Sequence, residues 1–214
     1  KICADKLRNR PVRKHRLIAT EACRSASNGA AFLERVKRET GLELEIVDRE
    51  TEARLAVSGC GPLVGHQTDA LVLFDIGGGS SEVALIDRSK RRSPRLAEQI
   101  VAWTSLPVGV VSLAERFGGK HVTEDVYTAM VEDVLGMISR FEGRNALGSL
   151  GSGDRFHLLG TSGTVTTLAG IHLGLERYDR RRVDGLWMDD TDVVAMTDRL
   201  RSWTFEERVA NACI

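Results

Sequence analysis

Residues 70–86 limit the fold more than any other stretch of the chain. Ala70-Leu71-Val72-Leu73-Phe74 is an unbroken apolar run that reads as a strand buried on both faces, and Val83-Ala84-Leu85-Ile86 reads as a second strand. Between them stands Asp75-Ile76-Gly77-Gly78-Gly79-Ser80-Ser81-Glu82, so three glycines occupy a tight turn with a carboxylate at each end. Adjacent glycines permit positive φ and let a ligand approach the backbone without interference from Cβ. Successive amides in such a turn form a concave anion-binding surface, while Asp75 and Glu82 can hold a divalent cation or a water. Phosphate with a hard metal is the simplest ligand that uses all of these groups. The plain alternative is a glycine-rich hairpin with solvated acids.

The turn departs from two better-known phosphate loops. A Rossmann Gly-x-Gly-x-x-Gly runs from a strand into a helix, whereas the continuation here is β-branched and apolar. A Walker A loop closes on Gly-Lys-Ser/Thr, which is missing. Strand, glycine turn, strand, with acids at both ends, resembles the phosphate hairpin of the actin-like ATPase superfamily.

Composition sets the broad class. The 214 residues hold 42% hydrophobic and 28% charged residues, enough apolar material for one large or two small cores of a soluble protein. Thirty Lys plus Arg balance thirty Asp plus Glu, so overall charge predicts binding neither to nucleic acid nor to an acidic membrane. Residues 1–16 are basic, and residues 177–182 contain four arginines; both runs read as solvated faces with a lesser claim as anion sites. Cys3, Cys23, Cys60 and Cys213 are far apart and form no Cys-x-x-Cys, so buried reduced thiols are expected. No apolar stretch approaches the roughly 20 residues of a membrane span, no signal peptide is present, and the cytoplasm is the expected compartment.

The periodicity predicts a helix over 2–9, a short strand over 17–19, and a helix over 30–39 capped by Asn28 and closed by Gly41. Leu42, Leu44 and Ile46 alternate with acids as a half-exposed strand does, and Asp48 caps a helix reaching about Val57. Residues 59–69 read as a loop and domain boundary. After the hairpin we expect a strand over 96–105, helices over 110–117 and 126–141, a flexible loop over 143–154, a strand over 156–159, and helices over 165–173 and 189–201.

Three further segments carry chemistry. Gly160-Thr161-Ser162-Gly163-Thr164-Val165-Thr166-Thr167 joins a strand to a helix, so its amides and the helix dipole can face an anion; a hydroxyl-capped turn is the simpler reading. Arg24 follows the first strand and can hold a phosphate through its planar fork, or serve as a surface ion-pair partner. Glu50 and Glu52 lie near the start of a helix, where a carboxylate either activates a water or merely complements the dipole.

Together the chain resembles the exopolyphosphatase/guanosine pentaphosphate phosphohydrolase family. The match rests on Ala19-Thr20-x-Ala22-x-Arg24-x-x-x-Asn28, Phe32-Leu33-x-x-Val36, Glu52-Ala53-Arg54-Leu55, the hairpin 75–82, Leu106-Pro107-x-Gly109 and Gly160-Thr161-Ser162-Gly163-Thr164. It implies an α/β fold of actin-like, ribonuclease H-like domains with the active site between them: residues 1–62 the C-terminal part of the first, residues 67–214 the second, truncated at its C-terminus. It also implies release of a terminal phosphate from polyphosphate or guanosine pentaphosphate by a metal-activated water. Carried over by position, Glu52 is the catalytic base, Asp75 and Glu82 organise Mg²⁺ and the water, and Arg24, Gly77, Gly78, Gly79, Ser80, Gly163 and Thr164 contact phosphate. An opening Asp-x-Gly-Ser-Asn-Ser loop is missing, and Asp48-Arg49-Glu50-Thr51-Glu52 replaces the usual Ser-Gly-Glu-Glu-Glu, so the chain is expected to be part of a longer protein. The alternatives are a non-catalytic nucleotide- or polyphosphate-binding regulator and a sugar or carboxylate kinase. Neither nucleic-acid nor membrane partners are expected. The residues do not choose between substrates or fix the oligomeric state, and a homodimer is compatible with them.

Overall fold

The structure, a computed structural model, describes residues 1–10, 12–90, 93–151, 153 and 155–214. It divides into two compact units, Lys1–Leu55 and Ala56–Ile214, with the division inside a helix. The assignment of these units to actin-like halves remains a proposal.

The first unit contains α1 (Ile2–Arg8), β1 (Ile18–Ala19), α2 (Glu21–Ser25), α3 (Gly29–Thr40), β2 (Glu45–Ile46) and the start of α4 (Arg49–Gly59). The two short strands are parallel, Ile18 opposite Glu45 and Ala19 opposite Ile46. Of the segment 42–46 expected as a strand, only Glu45 and Ile46 pair. Gly41 ends α3 at φ 75°, the left-handed conformation that glycine adopts without penalty. Asp48 caps α4 by accepting the Thr51 amide at 2.7 Å.

The second unit is built on β3 (Ala70–Ile76), β4 (Ser81–Asp87), β5 (Ile100–Leu106) and β6 (Phe156–Thr161), in the order β5-β4-β3-β6. Neighbours are antiparallel except β3 and β6, which are parallel. α5 (Val110–Phe117), α6 (Glu124–Ile138) and α7 (Arg144–Leu150) lie in sequence between β5 and β6, and α8 (Ser162–His172), α9 (Arg180–Val183), α10 (Asp190–Ser202) and α11 (Phe205–Ala210) follow.

Both faces of this sheet are covered, as the unbroken apolar run of β3 requires. Leu71, Leu73, Ala84 and Ile86 pack on one face with Val57, Cys60, Leu96 and Ala97. Val72 and Leu85 pack on the other with Phe141, Leu147 and Leu150. Leu71, Leu73, Leu85 and Ile86 are all but fully buried, which stabilises the fold by about 1.5–3 kcal/mol per side chain. A third cluster joins Ala169 and Ile171 of α8 to Val183, Met196 and Cys213.

Several expectations are corrected. Residues 96–99 form a 3-10 turn, not the start of a strand, because consecutive Leu96 and Ala97 both face the core, which a period-2 strand cannot arrange. The predicted flexible loop over 143–154 contains α7, held by Leu147 and Leu150 at helical spacing; Ser152 and Asp154 lie outside the described residues. α6 ends at Ile138 rather than at 141. α11 was not expected, although Thr204 and Glu207 form its capping box. Of the four cysteines, all free, Cys60 and Cys213 are buried while Cys3 is exposed. Arg177 and the three arginines of α9 are exposed, with Arg180 paired to Asp184 at 3.1 Å. Among the described residues no helix is long and apolar enough to cross a membrane.

Candidate active site

The sheet of the second unit ends in a polar row. Directly opposed residues of neighbouring strands share a face, and the register sets Ser105 opposite Glu82, Glu82 opposite Asp75, and Asp75 opposite Thr161. The two acids that bracket the glycine turn therefore stand side by side, one step beyond Leu73 and Ala84 on the same face. Glu82 is only 4% exposed and accepts a hydrogen bond from the Ser105 hydroxyl at 2.9 Å. Cys60 adjoins this row; burial pushes its thiol up, a hydrogen bond with Thr161 opposes that, and the Asp75 charge adds to it. Two carboxylates on adjacent strands suit Mg²⁺, which takes one or two from a protein and completes its shell with water and substrate phosphate. Among the described residues no cluster of three or more His, Cys, Asp or Glu is gathered for a metal, so a closed protein cage is not offered.

The glycine turn is braced from behind. The Gly77 amide donates to the Ser80 carbonyl at 3.0 Å, and the Gly77 and Gly78 carbonyls accept from Val110, Val111 and Ser112 at 3.1, 2.9 and 3.2 Å. The open end of α5 is thereby satisfied by the turn itself. None of the three glycines has positive φ, so the conformational argument made from the sequence does not hold. At Gly77 crowding is the operative reason: a Cβ there would stand 3.0 Å from the Ser80 carbonyl oxygen. Gly78 and Gly79 are exposed at the tip, whereas Ser80 is 4% exposed and the Gly77 amide is already committed.

The second anion segment is a junction rather than a loop. Gly160 and Thr161 belong to β6, and Ser162, Gly163 and Thr164 form the first turn of α8, whose N-terminus has no side-chain cap. A Cβ at Gly160 would lie 2.7 Å from the Phe74 ring and 2.9 Å from Val165, which explains that glycine by packing. Ser162 has φ 78°, a strain of about 1–3 kcal/mol for a residue with a side chain, of the kind that gathers at functional turns. Ser162→Gly should therefore raise stability by about 1 kcal/mol in chemical denaturation, while loosening the junction and lowering ligand affinity.

Both segments open onto one cavity of about 1090 Å³, lined by Gly77, Gly78, Ser162, Gly163 and Thr164 on one side. Its remaining wall is mostly apolar and aromatic, with Tyr127, Met130, Leu168, Trp203 and Phe205, and carries Lys120, Arg201 and Arg208. Arg201 lies 4.2 Å from the Tyr127 ring centre and is paired with Asp198 and Glu124. This wall is not foreseen from the sequence; Thr204-Phe205-Glu206-Glu207, a legible helix start, is the available signal for the Phe205 and Arg208 part of it.

In the first unit Arg24 occupies the centre of a charged cluster. Its Nη2 donates to Glu21 at 2.6 Å and to Glu52 at 3.0 Å, its Nε to Glu21 at 3.2 Å, and its Nη1 to the Val47 carbonyl at 2.6 Å. The three side chains are only 19–20% exposed. Burial alone would lower the Arg24 guanidinium, but its bonds to Glu21 and Glu52 raise it. Ser25, Arg24 and Arg49 hold Glu21 well below its ordinary 4.5, at about 2. Because that carboxyl is depressed in the folded protein, its stabilising contribution is complete above pH 4.5 and is lost as pH falls toward 2. Glu50 is exposed and pairs only within its helix, with Arg54 at 3.8 Å.

Comparison with known proteins places this arrangement. The sequence profile described as the Ppx/GppA phosphatase family matches residues 1–187. The chain belongs to that family. A guanosine-5'-triphosphate,3'-diphosphate pyrophosphatase of Photobacterium profundum is 29% identical over 210 residues, covering 91% of this chain and 38% of that protein. A solved exopolyphosphatase-like protein superposes with TM-score 0.82 at 27% identity, and the Ppx/GppA protein of Aquifex aeolicus with 0.71 at 27%. They match 99% and 100% of this chain, which spans 64% and 63% of theirs. The α/β fold expected from the resemblance, with a partial domain, is thus the fold of Ppx/GppA relatives.

Proposed function

We propose that this Ppx/GppA chain carries the catalytic residues of a phosphohydrolase that removes the terminal phosphate of guanosine pentaphosphate. The observation that supports this substrate over inorganic polyphosphate is the aromatic and apolar cavity beside the two anion segments. A phosphate polymer has no use for Tyr127, Met130, Trp203 and Phe205, whereas a nucleoside gains by leaving water against such a wall. The relative from Photobacterium is named for the same class of nucleotide.

In this reading Gly78, Gly79 and the first-turn amides of α8 hold phosphate oxygens, and the bonds from α5 fix the turn before substrate arrives. Mg²⁺ held by Asp75 and Glu82 would neutralise charge on the phosphates. Glu82, oriented by Ser105, accepts a hydrogen bond from the attacking water. By the family resemblance Glu52 would be the base that takes a proton from the water attacking the terminal phosphorus, while the bridging oxygen leaves with the tetraphosphate product. Arg24 holds Glu52 in place and can turn one N–H to a phosphate oxygen.

Competition in the full-length protein tests the substrate assignment. Guanosine pentaphosphate should show a kcat/KM at least about tenfold above that of long-chain polyphosphate, and Trp203→Ala should erase most of the difference, since base stacking is worth about 1–3 kcal/mol. Equal kcat/KM values that Trp203→Ala leaves unchanged would contradict the nucleoside reading.

A further inference from the structure

Glu21 has no role in the scheme above, yet it is the carboxylate bound most closely to Arg24. A single guanidinium nitrogen, Nη2, donates to both Glu21 and Glu52, and the Glu21 contact is the shorter, 2.6 Å against 3.0 Å. Arg24 also donates to Glu21 through Nε, and the opposite edge of its fork is fixed on the Val47 carbonyl. Glu21 in turn accepts from Ser25 and, at 3.3–3.4 Å, from Arg49. The cluster thus has two cations and two carboxylates in which Glu21 touches both arginines and Glu52 is bonded to one.

We propose that Glu21 is a positioning residue that anchors the Arg24 guanidinium and takes up part of its positive charge, leaving Glu52 oriented but able to accept a proton. This inference rests on the reading of Glu52 as the base. An arginine paired with Glu52 alone would align that carboxylate and also stabilise its anion strongly, which makes a weaker base. A second carboxylate on the same nitrogen separates the two effects: alignment is kept and the charge is shared. A helix-start glutamate that only complemented the α2 dipole would have no reason to reach two arginines.

The other charged groups around the cluster are occupied elsewhere. Asp48 caps α4 through Thr51, Glu50 pairs with Arg54, and Glu45 pairs with Arg16. Asp48 also feels the Arg24 charge, as the weakest of the influences that lower its carboxyl, so the charge balance at Glu52 is set mainly by Glu21, Arg24 and Arg49.

The test is the pH dependence of kcat/KM in the full-length protein. Glu21→Gln removes a negative charge beside Glu52, so the acid limb should move to lower pH by about 1 unit. The plateau kcat should fall roughly threefold because the base is weaker. Glu21→Asp keeps the charge and should restore the acid limb. Arg49→Gln, at an exposed side chain that the fold can lose, removes a cation instead and should move the limb upward. Opposite movements in the Gln variants of Glu21 and Arg49 support the proposal even if Glu21→Gln proves hard to fold and must be assayed at low temperature. An acid limb unmoved in both variants, with activity following only the loss of folded protein, would overturn it. Glu52→Gln in the same series separates the two ideas: full turnover there refutes the base assignment, whereas an inactive Glu52→Gln with unmoved limbs refutes only the role of Glu21.

Discussion

Glu52→Gln in the full-length protein should leave folding and substrate affinity in place and remove most of the turnover, by roughly 10²–10⁴-fold. The amide is nearly the same shape, and its carbonyl oxygen can still accept the Arg24 bond that positions the side chain at 3.0 Å. What it cannot do is take a proton. Glu50→Gln provides the contrast, because Glu50 is exposed and its ion pair among the described residues is with Arg54, so its loss should cost less than about twofold. Steady-state kinetics with saturating Mg²⁺ and substrate, beside a thermal melt, distinguishes a lost base from a lost fold. Near-normal kcat in Glu52→Gln would mean that another group activates the water.

The second large effect is expected from a position with no polar atom in its side chain. A Cβ at Gly109 would stand 2.4 Å from the Gly77 carbonyl oxygen and 2.5 Å from that of Gly78. Both obstacles are backbone, so neither can rotate aside. Gly109→Ala must push the glycine turn away from the start of α5, breaking the three bonds that Val110, Val111 and Ser112 donate to it. We expect a loss of about 3 kcal/mol in denaturant unfolding, and loss of phosphate binding beyond what the unfolded fraction explains. A stability within about 0.5 kcal/mol of the parent would show that the turn is free to shift and is not held by α5.

The hairpin was legible because its physics is local. An apolar run buried on both faces, three glycines and two acids leave few alternatives, and the register then brings Asp75 and Glu82 together across the ladder. The cap at Asp48 and the left-handed Gly41 followed from the same kind of short-range rule. Long-range contacts were not legible. Ser105 meets Glu82 only through a β4–β5 register that shifts between Leu85 and Ile86, which no spacing rule foretells. Nothing in the spacing singles out Glu21, because Arg49, which it meets, is 28 residues away, and so is Glu52 from the Arg24 that it shares with Glu21. Three glycines in a row suggest torsional freedom, whereas none has positive φ and Gly77 is required by its close approach to Ser80. Helix α7 was hidden by a glycine-rich composition that ordinarily marks a loop, and two leucines on the core face outweighed it.

The most direct test of the central claim, attack of water on the terminal phosphorus, is hydrolysis of guanosine pentaphosphate by the full-length protein in ¹⁸O-labelled water. The account predicts one ¹⁸O atom in each released inorganic phosphate and none in the guanosine tetraphosphate product, with release of both products slowed together in Glu52→Gln. Label in the nucleotide, or tight binding of guanosine pentaphosphate without release of any phosphate, would contradict it.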